Sequence, residues 1–84
     1  MKNSEVLLFA QNVACVRVAY GITQRDLSEK AGLRKLSRIA DIERGTGTVN
    51  LEEVISICKV LGNVSIDSML TKRVSLTFEF KDPQ

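Results

Sequence analysis

Gly21-Ile-Thr-Gln-Arg-Asp-Leu-Ser-Glu-Lys-Ala-Gly-Leu33 reads as one short helix enclosed by two glycine stops. Thr23 is its expected N-cap, with Asp26 three residues later as a weaker stand-in for the capping-box acid. Leu27 and Ala31 share one face at i and i+4, and Gly32 ends the helix. A helix of about two turns is not stable by itself in water, so it must pack on its neighbours.

Upstream, residues 4–20 form a first helix in which Phe9, Val13, Val16 and Tyr20 recur at helical spacing, with Gly21 as the stop. Downstream, a third helix is expected from Arg34 or Lys35 to Arg44, closed by Gly45. Leu36, Ile39, Ala40 and Ile42 would form its apolar side, and Arg34, Ser37, Arg38, Asp41 and Arg44 its polar side. Thr46-Gly-Thr-Val-Asn50 is a turn-rich loop, and Asn50 with Glu53 makes an N-x-x-E cap for a fourth helix. Leu51, Val54, Ile55, Cys58 and Leu61 are its expected core stripe. Ser65 caps a short fifth helix over residues 66–71 that buries Met69 and Leu70.

The last segment changes period. Val74-Ser-Leu-Thr-Phe-Glu-Phe80 alternates apolar and polar residues, the signature of a half-buried strand, and Asp82-Pro83 closes it. No second strand candidate occurs in the sequence. A single strand cannot satisfy its own backbone, and a matching strand from an identical subunit is the simplest partner. The expected architecture is therefore mainly α: five helices over residues 1–73, then a strand and tail over residues 74–84. Val74, Leu76, Phe78 and Phe80 would serve in dimerisation.

At 84 residues there is room for one core only. Folding buries roughly 60% of the unfolded surface at this size, a marginal amount that also favours a partner subunit. With 44% hydrophobic and 26% charged residues, the composition is that of a soluble globular domain. No signal peptide or membrane span is legible, so a cytoplasmic location is expected. Histidine is absent, which removes imidazole acid-base chemistry, Ser-His and Cys-His nucleophiles and histidine zinc sites. Cys15 and Cys58 sit among apolar neighbours and read as small core residues. No metal, cofactor or small-molecule ligand is expected, and an enzyme is disfavoured. Charge is uneven: residues 1–45 hold eight Lys/Arg against five Asp/Glu, and residues 46–84 four against five. Arg34-Lys35-Leu36-Ser37-Arg38 is the densest basic stretch, which in isolation is a solvated face.

Three blocks in order carry a family resemblance: residues 21–33, Ile39-Ala-Asp-Ile-Glu-Arg-Gly45, and Asn50-Leu-Glu-Glu-Val-Ile-Ser-Ile-Cys-Lys-Val-Leu-Gly62. Together they resemble the helix-turn-helix domain of phage repressor/Cro (XRE-like) regulators. Two departures stand out. Between Gly32 and Ile39 the chain is one residue longer than the usual spacing, and a second extra residue, Asn63 or Val64, follows Gly62. Anchoring on Ile39 and Ile42 as core places the first extra residue in the turn near Arg34. The opposite anchoring would bury Arg38, which is expensive without a partner.

The resemblance implies a sequence-specific regulator of transcription, most simply a small homodimeric repressor of a palindromic operator on double-stranded DNA. Helix 2 would cross the backbone, and helix 3 would enter the major groove. Gln24 matches the family's phosphate-contacting glutamine; Lys35, Arg44, Thr46 and Thr48 are further backbone candidates. Ser37, Arg38 and Asp41, with Arg34 a fourth, are the candidate base readers. Arg38 and Asp41 could instead simply pair on the helix surface. Arg17 and Glu43 match the pair that bridges in this family, with two independent surface charges as the alternative. An antitoxin with a toxin partner, or a restriction-modification controller, are the alternative functions.

Overall fold

The computed structural model describes residues 4–45, 48–62 and 64–71. Within them the chain forms α1 (Ser4–Ala19), α2 (Gln24–Lys30), α3 (Arg38–Arg44), α4 (Leu51–Leu61) and α5 (Ile66–Thr71). α1 packs on α5 and α3, α2 on α3 and α4, and α4 on α5. The core where they meet is built from Phe9, Val13, Val16, Leu27, Ile39, Ile57, Leu61 and Met69, with Ile42 and Cys58 beside them.

α1 buries Phe9, Val13 and Val16 on one face, as its spacing requires, while Tyr20 falls in the following turn and stays 43% exposed. Asn12 lies on the same inward face. Its Nδ2 donates to the Met69 carbonyl at 2.9 Å, so a buried polar group ties α1 to α5. Cys58 is buried as expected and burial pushes its thiol up, but Cys15 is exposed, because its position on α1 points away from the core.

α2 starts as its sequence dictates, with Thr23 Oγ1 accepting from the Asp26 N–H at 3.0 Å. α3 corrects the sequence reading. It begins at Arg38, and the preceding residues form a turn closed by the Arg38 N–H donating to the Lys35 carbonyl at 3.1 Å. Leu36 therefore sits outside the helix and is 44% exposed instead of joining the core. Ser37, in the N-cap place, makes no side-chain cap bond. The cap comes from another helix: Ser28 Oγ, fully buried on α2, accepts from the Ile39 N–H at 3.0 Å. Gly45 ends α3 in the left-handed region at φ 80°, where a side chain would be strained.

α4 opens with a full capping box. The Glu53 N–H donates to Asn50 Oδ1 at 2.8 Å, and the Asn50 N–H to Glu53 Oε1 at 3.1 Å. Its buried stripe is Val54, Ile57, Cys58 and Leu61, whereas Leu51 is 68% and Ile55 37% exposed. The helix is turned relative to the expected stripe because Glu53 faces inward. Ile57 stands one turn further along the same side and follows it. α5 is capped by Ser65, whose Oγ accepts from the Ser68 N–H at 3.0 Å, and it buries Met69 completely. The expected strand with Val74, Leu76, Phe78 and Phe80 lies outside the described residues, which contain no strand.

Candidate nucleic-acid interface

The turn between α2 and α3 puts Arg34, Lys35, Leu36 and Ser37 on the surface in succession. Arg44 at the other end of α3 and Thr48 in the loop beyond it are exposed as well. Thr46 lies outside the described residues. Two of the cations share one carboxylate. Lys35 Nζ lies 3.0 Å from Asp41 Oδ2, and Arg44 Nη2 binds Asp41 Oδ1. Hydrogen bonding to Lys35 holds the Asp41 carboxyl below the usual carboxylate range, so it stays ionised between its two partners. The Lys35 and Arg44 side chains remain 56% and 62% exposed, within reach of an external anion.

Gln24 and Glu43 meet where the start of α2 approaches the end of α3. Gln24 Nε2 donates to Glu43 Oε1 at 2.8 Å, and Glu43 also receives Arg17 from α1. The first side chain of α2 is thereby fixed to the last turn of α3. Arg17 Nη1 further donates to the Ile22 carbonyl at 2.9 Å, bracing the turn that leads into α2.

Arg38 is the main correction to the candidate set. Its side chain is only 5% exposed and points inward, with Nε 2.7 Å from Glu53 Oε2 and Nη2 2.8 Å from Glu53 Oε1. Nη2 also donates to the Thr48 carbonyl. With its fork turned inward on Glu53 and the Thr48 carbonyl, Arg38 is not on the surface to read a guanine or to pair with Asp41 there. The sequence reading treated burial of Arg38 as costly without a partner; Glu53 is that partner. Each holds the other charged: the hydrogen bond to Glu53 raises the Arg38 pKa, and the same bond holds the Glu53 carboxyl down.

Sequence reasoning missed three residues that shape this surface. Helical spacing puts Leu36 in the core, yet it stands exposed among the candidate readers. Ser28 caps α3 from a neighbouring helix, and only its place beside Leu27 on the inward face of α2 hinted at that. Glu53 has a second role beyond its capping box, hidden because the first one already explained it.

A helix-turn-helix family model matches residues 16–69, which covers α2, α3 and α4 and most of α5. Among curated protein sequences none matches the chain. Several solved structures share the fold. The restriction-modification controller protein C.AhdI from Aeromonas hydrophila superposes with a TM-score of 0.69 at 24% identity, covering 80% of this chain and 98% of that one. The wild-type restriction-modification controller protein C.Esp1396I gives 0.71 at 25% identity, covering 82% and 91%. The clp gene regulator ClgR from C. glutamicum gives 0.70 at 25% identity, covering 82% and 87%.

Proposed function

Because the chain belongs to the Cro/C1-type (XRE-like) helix-turn-helix family of DNA-binding transcriptional regulators, we propose that it acts as a small homodimeric repressor of an inverted-repeat operator. The observation that carries this reading is the exposed run Arg34, Lys35, Leu36 and Ser37 on the turn entering α3. A helix N-terminus with its preceding turn is the part of such a motif that meets base edges in the major groove. Ser37 adapts to donor or acceptor edges, Arg34 suits guanine O6 and N7, and Leu36 suits the thymine methyl. Lys35, Arg44, Thr48 and the α2 start at Gln24 serve the phosphates, which fix position and carry no sequence information. Asp41 holds Lys35 and Arg44 in place and accepts from cytosine N4 where one is within reach.

A domain of this size reads a handful of base pairs, and a two-fold dimer doubles that on half-sites about one helical turn apart. Two features support a dimer. The alternating segment 74–80 has the pattern of a strand in need of a mate. Ile55 also lines an apolar groove with Cys58, Val64 and Ile66, and Leu51 stands exposed one turn earlier on α4. The test is selection of bound duplexes from a random pool, followed by titration of the selected site at rising salt. An inverted repeat bound with steep salt dependence supports the reading, and no enrichment at low salt overturns it.

A restriction-modification controller is the second reading, favoured by the match to C.AhdI over nearly that protein's whole length. A methyltransferase gene adjacent to this one would support it.

A further inference from the structure

Glu53 accepts three hydrogen bonds that join two segments of the candidate interface. Oε2 takes Arg38 Nε at 2.7 Å; Oε1 takes Arg38 Nη2 at 2.8 Å and the Asn50 N–H at 3.1 Å. The same Nη2 donates to the Thr48 carbonyl. Arg38 is the first residue of α3 and follows directly on the exposed residues 34–37, while Thr48 and Asn50 belong to the loop before α4. One guanidinium and one carboxylate therefore hold the reading turn and the loop beyond α3 at a fixed separation. Both side chains are under one tenth exposed. A buried ion pair is a poor source of stability, because its desolvation offsets most of the Coulombic gain and apolar replacements are often as stable. Geometry is what it does supply. Base-edge hydrogen bonds need their donors held to within about 0.5 Å, which demands support from behind.

We propose that Arg38 and Glu53 are positioning residues for base reading, setting where residues 34–37 lie relative to Thr48 without touching DNA. The proposal rests on the DNA-reading function above.

Its test uses Arg38→Met, Glu53→Gln and the double variant in the full chain. Glutamine at 53 keeps the capping box. The double variant leaves no buried unpaired charge and the net charge unaltered, so non-specific attraction to phosphate is unaltered too. Thermal unfolding is measured beside affinity for the selected inverted repeat and for a scrambled duplex of equal length. The expected double variant melts near wild type, binds the scrambled duplex equally well, and loses about tenfold or more on the selected site. A folded double variant with the wild-type ratio of selected to scrambled affinity overturns the proposal and makes the pair merely structural. Should the neutral pair fail to fold, Arg38→Lys keeps a buried cation without the two-point fork; it is expected to fold and lose discrimination, and full discrimination overturns the proposal. A wild-type chain that prefers no sequence instead overturns the DNA-reading function, and this inference with it.

Discussion

Arg17 and Glu43 meet in a two-point bridge: Nε lies 2.7 Å from Oε2 and Nη2 3.0 Å from Oε1, joining α1 to the last turn of α3. The two side chains are 14% and 10% exposed, so each charge has given up most of its water for the other. Removing one partner strands the second. Arg17→Met or Glu43→Gln should each cost about 2 kcal/mol or more in chemical denaturation, more than a surface pair can. A double-mutant cycle should return clear coupling; coupling near zero would make the two charges independent.

Acid should weaken the fold partly through Glu53. Hydrogen bonding to Arg38 holds its carboxyl below the usual range, against the opposing effect of burial. The unfolded chain, where glutamate titrates at about 4.3, therefore takes up the proton first. The stability Glu53 contributes is complete above that value and is lost as pH falls through the folded one. Urea denaturation from about pH 7 down to about pH 3 should show a shallower acid decline for Glu53→Gln than for wild type. Equal declines would assign the effect to other carboxylates such as Asp41, which Lys35 holds low in the same direction.

On DNA, Lys35 and Arg44 should behave unlike their neighbours. Lys35→Ala or Arg44→Ala should weaken binding to all sequences alike and lower the slope of log affinity against log salt by about 1. Ser37→Ala and Leu36→Ala should leave that slope alone and relax preference at one position per half-site. A base-specific loss at Lys35 would move it among the readers.

Deleting residues 74–84 should give a monomer that keeps its helices, loses stability and binds the inverted repeat far more weakly. Light scattering and operator titration of the truncated chain are the measurements. A dimer with full affinity would assign dimerisation to the helices, with the exposed Leu51 and Ile55 of α4 the first place to look.

The features legible in the sequence were those whose cause is close along the chain. Thr23, Asn50 with Glu53, and Ser65 announce helix starts because a cap and its amide are three residues apart. The end of α1 and the bounds of α2 follow from spacing and glycine stops. What escaped depends on distant partners. The start of α3 is set by a hydroxyl on α2 and by a carboxylate on α4, fifteen positions beyond Arg38. The rotation of α4 follows from the same ion pair, since an inward Glu53 brings Ile57 in and leaves Ile55 out. Arg38 looked like a reader because an arginine next to a basic run is usually at the surface, and nothing within a helical turn of it shows otherwise.

The change from Ser37 to Arg38 is a boundary between residues free to vary and residues that are not. Positions 34–37 fill no space in the core, whereas Arg38 and Ile39 immediately after them are buried. Surface substitutions of this kind usually change stability by only about 0.5 kcal/mol either way. On the proposed reading role, changes at Arg34, Leu36 and Ser37 can therefore shift target preference while the supporting frame stays intact.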